Sequence, residues 1–292
     1  MRTLRYRIQD AARQHGVPRD VVEKDYALSY VLAGVSSRAE LTDALVFKGG
    51  TALKKLFFGD YRFSEDLDFS SADRAPKQDE LAQALHAAAE GVSALLSAHG
   101  PFAVEFARYP ERRPHPRGQE AFVIRVQFPW HRQALCSIKL EVSHDEAILL
   151  APQKRPLIHG YEGEELLANV SCYQLEEIVA EKLRTLLQTE QRIIERGWSR
   201  RHARDYYDLW RILEDLGHTL DADQVRAILH KKCAHREVGF YHLDDFFTHE
   251  LLHAAHLNWN ASLQTLVAGE LPDWDDVLVR LKALVGQVTL LT

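Results

Sequence analysis

Hydrophobic and polar positions follow different patterns in three parts of the chain. Residues 1 to about 35 have apolar residues at helical spacing on both sides of Gly16-Val17-Pro18, which predicts two helices with a break between them. Residues 42–165 contain short segments with the alternation of strands, and one helix is predicted among them, from Leu81 to His99. Residues 174–292 have mainly helical spacing. The pattern predicts an α+β region followed by a mainly α-helical region.

Glycine and proline mark the candidate joints between these regions. They occur in two stretches, Pro110 to Gly118 and Ala151 to Gly163. We expect the domain boundary after the second stretch. Residues 1–165 then form the α+β domain together with the N-terminal helices, and residues 166–292 form an α-helical C-terminal domain. A chain of 292 residues with 46% hydrophobic content is long enough to build both cores.

Residues 45–58 predict a strand, a turn and a helix in direct succession. The apolar run Leu45-Val46-Phe47 is typical of a short buried strand, Gly49-Gly50 of a turn, and Thr51 to Phe58 of a helix. The first backbone N–H groups of a helix can bind an anion. The segment therefore predicts a cradle for phosphate.

The next segment, Arg62 to Phe69, alternates between apolar and polar residues. Its polar residues Ser64, Asp66 and Asp68 therefore share one face of a predicted strand. Two carboxylates so close repel each other unless a cation lies between them, and Mg²⁺ prefers such oxygen ligands. The ordinary alternative is a tight turn followed by the solvated face of an edge strand. The combination of the Gly-Gly turn with Asp-x-Asp favours the functional interpretation.

This arrangement resembles the polymerase-β-like nucleotidyltransferases, which combine a Gly-Gly or Gly-Ser turn with Asp-x-Asp and a third carboxylate on a neighbouring strand. In Cys136 to Ser143, apolar residues alternate with Lys139, Glu141 and Ser143. Glu141 is the candidate third carboxylate and third metal ligand, beside Asp66 and Asp68. Alternatively, it is an ordinary exposed residue on the polar face of a sheet.

Four stretches narrow the resemblance to the AbiEii/AbiGii toxin family of nucleotidyltransferases, the group that includes the MenT toxins. They are Val22 to Tyr26, Lys48 to Thr51 together with Arg62 to Phe69, Glu177 to Arg184, and Arg204 to Leu209. The second is the most specific. The resemblance implies a polymerase-β-like domain with a mixed sheet, a mainly α-helical C-terminal domain, and an active site in the cleft between them.

Charged residues interrupt the apolar stripes of the other three stretches. Lys182 is in line with the buried face of its predicted helix, and Asp205 and Asp25 also fall at apolar positions. A buried charge must be paired or must face a site. A buried ion-pair network between helices explains these residues as well as a nucleotide site does, and the sequence leaves both interpretations open.

The resemblance implies a role for each candidate. Lys182 would contact the triphosphate, Ser64 would lie beside the same phosphates, and Asp205 would complete the site. The nucleotide-binding set that we expect consists of Lys48, Gly49, Gly50, Thr51, Arg62, Ser64 and Lys182, with Tyr207 as a weaker candidate. The expected catalytic set consists of Asp66, Asp68, Glu141, Lys182 and Asp205.

The implied reaction is Mg²⁺-dependent transfer of a nucleoside monophosphate from an NTP to an acceptor hydroxyl, with release of pyrophosphate. The resemblance also implies a tRNA 3′ end as the acceptor and a cognate protein antitoxin. One alternative is transfer to a small molecule or to a protein hydroxyl, including phosphoryl transfer to Ser64 itself. Another is a regulatory module that binds a nucleotide without turnover.

Composition restricts the location and the partners of the protein. No apolar run approaches the roughly 20 residues of a membrane helix, and no signal peptide is evident, so we expect a cytoplasmic protein without a membrane partner. The three cysteines are too few and too scattered for a disulfide framework or a four-cysteine zinc site.

Charge is distributed unevenly along the chain. The net charge of −6 argues against a generally cationic nucleic-acid binder. Two local clusters nevertheless suit RNA contact, with Tyr109 and Trp198 available for stacking. The clusters consist of Arg108, Arg112, Arg113 and Arg117, and of Arg192, Arg196, Arg200, Arg201 and Arg204. Arginines that solvate a loop and a helix are the ordinary alternative.

Overall fold

The fold consists of two compact units, Met1–Tyr173 and Gln174–Thr292, in the computed structural model of the protein. The structure describes residues 2–110, 118–196 and 202–290. The first unit contains a sheet with helices, and the second is helical in its described residues. The α+β fold class predicted from the sequence is confirmed.

The first unit contains helices and strands in mixed order along its described residues. They are α1 (Leu4–His15), α2 (Arg19–Ser36), α3 (Ala39–Thr42), β1 (Leu45–Lys48), α4 (Gly49–Ala52), β2 (Asp66–Ser71), α5 (Gln78–Leu96), β3 (Ala103–Arg108), β4 (Gln119–Gln127), β5 (Cys136–Ser143), β6 (Gln153–Pro156) and β7 (Asn169–Cys172). A π-helical turn, Leu53–Phe57, continues α4, and a 3₁₀ turn, Ser97–His99, follows α5.

The seven strands form one mixed sheet in the order β3-β4-β5-β2-β1-β7-β6. Strand β2 pairs in parallel with β5, and β1 pairs in parallel with β7, whereas the other neighbours are antiparallel. Strands β1 and β2 are therefore interior strands. Helix α2 contacts β5, β7 and α5, and this packing explains why almost all of its last two-thirds is buried.

Two elements near the Gly-Gly turn begin at different residues from those predicted. The helix expected over Thr51 to Phe58 begins at Gly49 and widens into the π-helical turn. The strand expected over Arg62 to Phe69 begins only at Asp66 and continues to Ser71. The pairing of β2 with β1 begins at Asp68 and its pairing with β5 begins at Asp66, so neither neighbouring strand pairs with residues 62–65.

The second unit consists of helices in its described part. They are α6 (Leu175–Arg196), α7 (His202–Leu216), α8 (Ala222–His235), α9 (His249–Leu263) and α10 (Trp274–Thr289), with 3₁₀ turns at Gly217–Thr219 and Leu243–Phe246. Helix α7 packs against α6, α9 and α10, and α6 packs against α8. Apolar side chains of α7, such as Leu209 and Ile212, are fully buried in this arrangement.

Candidate active site

The three candidate carboxylates lie on two neighbouring strands of the sheet. In β2, Leu67 and Phe69 are buried, whereas Asp66 and Asp68 point to the other face and are half-buried. In the parallel pairing of β2 with β5, Asp68 lies opposite Glu141, which is also half-buried. Residues that are directly opposite in a sheet share a face. The structure therefore brings Asp66, Asp68 and Glu141 to one face of the sheet.

Glu141 contacts two polar side chains among the described residues of its unit. Its Oε1 accepts a hydrogen bond from Gln119 Nε2 at 2.5 Å and lies 2.7 Å from Lys139 Nζ. Lys139 is opposite Asp66 in the strand pairing, and its ammonium group lies 5.0 Å from the centre of the Tyr109 ring. The alternation along the sequence predicts Lys139 on the face of Glu141 but indicates no role for it. The strand register now places this cation among the carboxylates.

The Gly-Gly turn packs directly against Asp68. Gly49 has φ +78°, a left-handed conformation that glycine adopts without strain, and a Cβ atom there would lie 2.9 Å from Asp68 Oδ2. A Cβ atom on Gly50 would lie 2.5 Å from Arg62 Nη2 and 3.4 Å from Ser64 Oγ. The turn, Asp68, Arg62 and Ser64 therefore surround one small region, which side chains on either glycine would fill.

Lys48, Arg62 and Thr51 complete this region. Lys48 is the last residue of β1 and lies opposite Asp68 in the antiparallel pairing with β2. Arg62 is 4% exposed, and its Nη1 donates a hydrogen bond to its neighbour's carbonyl, Phe63 O, at 3.1 Å. Thr51 is buried and its hydroxyl donates to Asp66 O at 2.5 Å, so it ties the helix after the turn to the first residue of β2.

The donor set fits a divalent metal ion in chemical type, because three carboxylates face one side of the sheet and a glycine cradle lies beside them. Among the described residues, no three His, Cys, Asp or Glu side chains are grouped closely enough to hold a metal ion. In the structure the carboxylate of Glu141 is directed to Lys139 and Gln119. Nucleotidyltransferases generally use divalent metal ions.

The candidates of the second unit pair with one another. Lys182 on α6 is largely buried, and its Nζ lies 2.9 Å from Asp205 Oδ1 and 2.7 Å from Asp208 Oδ2 on α7. The Asp208 side chain is fully buried, whereas that of Asp205 is 22% exposed. Asp208 was not among the residues predicted from the sequence, although it lies in the family stretch, one helical turn after Asp205. Tyr207, a weaker candidate, is buried among Trp210 and Trp259.

The N-terminal stretch Val22 to Tyr26 holds helix α2 in the first unit. Glu23 is buried and accepts a hydrogen bond from Trp130 Nε1 at 2.9 Å. Its carboxylate also lies 3.1 Å from Arg19 Nε. Asp25 lies 2.8 Å from Lys55 Nζ, in the π-helical turn. The ion-pair interpretation of Asp25 therefore has a specific partner.

The arginine clusters are only partly described. Arg108 lies 2.9 Å from Asp79 and 3.2 Å from Glu120, and Arg204 Nε donates to Ser262 O at 3.3 Å. Arg192 is exposed. Outside the described residues lie Arg112, Arg113, Arg117, Trp198, Arg200 and Arg201, and the side chain of Arg196.

Within the described residues, every helix is too short or too polar to span a membrane. No curated protein matches the chain. Among solved structures, the chain is similar to MenT4, a nucleotidyltransferase toxin from Mycobacterium tuberculosis H37Rv, with a TM-score of 0.67 and 21% identity over 98% of this chain and 90% of that chain. At this identity the likeness supports the fold.

The sequence itself matches a family model. Residues 30–280 match the model described as nucleotidyl transferase AbiEii toxin, type IV toxin–antitoxin system. The match covers most of the chain and includes Asp66, Asp68, Glu141 and Lys182. The resemblance predicted from the four stretches is confirmed. The protein belongs to the AbiEii nucleotidyltransferase toxin family of type IV toxin–antitoxin systems, and it is a nucleotidyltransferase.

Proposed function

We propose that the protein transfers a nucleoside monophosphate from an NTP to the 3′ end of a tRNA in a Mg²⁺-dependent reaction. The observation that carries the proposal is the strand register that sets Asp68 opposite Glu141, with the Gly49-Gly50 turn packed against Asp68. Carboxylates, a glycine turn and cations then occur in one place. This combination suits a reaction at the α-phosphorus of a triphosphate.

Each residue has a separate part in the proposed reaction. Asp66, Asp68 and Glu141 would hold the metal. Bound Mg²⁺ would supply positive charge to the phosphate oxygens and align the reacting groups. The backbone N–H groups after Gly49 and the Arg62 guanidinium would bind the phosphates.

The proposed reaction forms one bond to the α-phosphorus and breaks another. The acceptor hydroxyl attacks the α-phosphorus, the bond from this phosphorus to the bridging oxygen breaks, and pyrophosphate leaves. Glu141 either shares the metal or accepts the hydroxyl proton. The contact of Lys182 with the triphosphate, and the part of Asp205, stay predictions that follow from the family resemblance.

The family supports the proposed acceptor and partners. A toxin of a toxin–antitoxin system has a cognate antitoxin, and a nucleotidyltransferase takes an NTP. The resemblance to MenT-type toxins supports tRNA as the acceptor. Both NTP and tRNA are cytoplasmic, and we propose that the enzyme acts there.

The test is an incubation of the protein with Mg²⁺, total tRNA and each α-labelled NTP in turn, followed by a denaturing gel. We expect label on tRNA with one NTP, and none with the Asp66→Asn/Asp68→Asn variant. Asp73→Asn is the matched control, because Asp73 is exposed just beyond the other end of β2. Label on protein or on small solutes would mean that the acceptor is a protein or a small molecule and not tRNA. NTP binding without any labelled product would support a binding module instead.

A further inference from the structure

A buried ion pair connects helix α2 to the helix that follows the Gly-Gly turn. Lys55 Nζ lies 2.8 Å from Asp25 Oδ2, and the two side chains are 2% and 6% exposed. The same nitrogen donates hydrogen bonds to Asp25 O at 3.0 Å and to Ser29 Oγ at 2.9 Å. An ammonium group has three hydrogen-bond donors, and all three have an acceptor here. Helix α2 therefore binds Lys55 in one fixed position.

Stability alone does not account for this pair. Removing two charges from water costs several kcal/mol per ion, and apolar residues of similar volume often stabilise a core equally well or better. Burial lowers the pKa of Lys55 to about 8, although Asp25 acts in the opposite direction. Burial likewise opposes the charge of Asp25, but Lys55 and Lys54 lower the pKa of Asp25 below its ordinary value. Both groups thus remain charged near neutral pH at the cost of their hydration.

The location of Lys55 supplies the explanation. Lys55 lies in the π-helical turn Leu53–Phe57, where Phe58 N donates to Leu53 O at 2.9 Å instead of continuing the α-helical pattern. The widened turn leaves carbonyl groups for other partners, since Lys55 O accepts from Ile158 N at 2.8 Å. Turns of this kind are frequent at functional sites.

The segment Gly49–Phe57 is therefore held at both ends. At its start, Thr51 donates to Asp66 O on β2. At its end, Leu56 O accepts from Arg155 Nε at 2.8 Å, and Lys55 binds Asp25. Asp25 itself is fixed, because Tyr161 Oη donates to its Oδ2 at 3.0 Å. A shift of Lys55 would move the whole short helix and the glycines at its start.

We propose that Asp25 is a positioning residue for the reaction: through Lys55 it fixes the helical segment Gly49–Phe57, and thereby the backbone N–H groups at its start that would bind the triphosphate. This inference rests on the proposed function of the Gly-Gly turn as the phosphate site. It assigns a role to the family stretch Val22 to Tyr26.

The decisive variant is Asp25→Leu/Lys55→Met, which replaces the pair by apolar side chains. We expect its thermal unfolding to stay close to that of the wild type, because no unpaired charge is left in the core. We expect the Kd for labelled NTP and the KM for NTP to rise about tenfold or more, with a smaller change in kcat, because the phosphate groups are no longer held in place. If the pair were only structural, the stable double variant would bind NTP as tightly as the wild type. This outcome would overturn the inference.

Two further proteins complete the experiment. Arg7→Met/Glu164→Gln is the matched control, since Arg7 Nη2 lies 2.5 Å from Glu164, whose side chain is 2% exposed, and both residues lie outside the segment Gly49–Phe57; its NTP binding should equal that of the wild type. Asp25→Asn covers the case in which the double variant does not fold. The Asp25 carboxylate raises the pKa of Lys55, so without it the pKa falls below the wild-type value of about 8, and a measurement above pH 8 leaves Lys55 uncharged. Asp25→Asn that binds NTP like the wild type would also overturn the inference. Failure of the wild type to bind any NTP would reject the proposed function itself, and the role of Asp25 with it.

Discussion

Asp68 lies opposite Glu141 in the parallel pairing of β2 with β5. The two carboxylates thus have neighbouring positions on one face, but Glu141 is bound to Lys139 at 2.7 Å. A lysine ammonium group that is bound to a carboxylate competes with a metal ion for the same oxygen atoms. The availability of Glu141 to a metal ion therefore depends on Lys139.

Replacement of Lys139 by methionine should strengthen metal binding. We expect Lys139→Met to lower the Mg²⁺ concentration for half-maximal activity about three- to tenfold, since a unit charge a few ångströms away is worth on the order of 1 kcal/mol in a partly solvated site. A titration of transferase activity with Mg²⁺ measures the effect. The gain should disappear in Lys139→Met/Glu141→Gln. A gain that persists there would exclude Glu141 as a ligand.

Gly50→Ala tests the space beside the turn. The added methyl group would meet Arg62 Nη2 at 2.5 Å and displace the guanidinium, whereas the backbone of Gly50 has no unusual φ. We expect kcat/KM to fall about 100-fold, because small displacements of a binding group have large kinetic effects. The free energy of unfolding should change little, as measured by urea denaturation.

Gly91→Ala is the control for this change. Gly91 lies in α5, and a Cβ atom there meets nothing within 4 Å. Alanine should stabilise the helix by about 1 kcal/mol and leave activity unchanged. Equal activity of the Gly50→Ala variant and the wild type would argue against a phosphate site at the turn.

Lys182→Met separates the two interpretations of Lys182. The variant removes the ammonium group 2.7 Å from Asp208, whose side chain is fully buried, and should destabilise the fold by about 3–5 kcal/mol. Lys182→Met/Asp208→Asn removes the buried charge as well and should recover most of this stability. If Lys182 contacts the triphosphate, the double variant still has a raised KM for NTP. If the double variant recovers both its stability and the wild-type KM for NTP, Lys182 only holds the two helices together.

Glu164 should make stability depend on pH in the acid range. Burial alone would raise its pKa, but hydrogen bonds from His159, Tyr30 and Tyr26 lower the pKa from 4.5 to about 2. The carboxylate therefore stabilises the fold above about pH 4.5, and this contribution is lost as the pH falls toward about 2. Between about pH 7 and pH 3 we expect the free energy of unfolding of the wild type to fall by on the order of 2 kcal/mol more than that of Glu164→Gln. The free energies of unfolding come from urea denaturation at each pH. If they fell equally with pH in the wild type and in Glu164→Gln, Glu164 would not be the source of the acid dependence.

The pattern of apolar and polar residues along the sequence predicted those parts of the fold and the site that depend on residues close together in the chain. The alternation in Cys136 to Ser143 predicted β5 with its bounds and the face of Glu141. The break at Gly16-Val17-Pro18 likewise matches the end of α1 and the start of α2. Such features depend on side-chain periodicity and on the restricted backbone of glycine and proline, which the sequence contains directly.

Long-range partners could not be predicted in the same way. Asp25 falls at an apolar position, which indicated a pair or a site, but nothing in the sequence identified Lys55 as its partner 30 residues away. The π-helical turn that presents Lys55 has no simple residue signature. The contact of Lys182 with Asp208 similarly depends on how α6 packs against α7.

The parallel pairing of β2 with β5 also determines when the site can form during synthesis. Glu141 comes 73 residues after Asp68, and α5, β3 and β4 lie between them in the chain. Contacts between such distant residues form late, after the cost in entropy of closing the intervening loop. A growing chain on the ribosome that ends before residue 136 has the Gly-Gly turn and both aspartates but lacks the third carboxylate. The three candidate carboxylates thus come together only after β5 has been made and has joined the sheet.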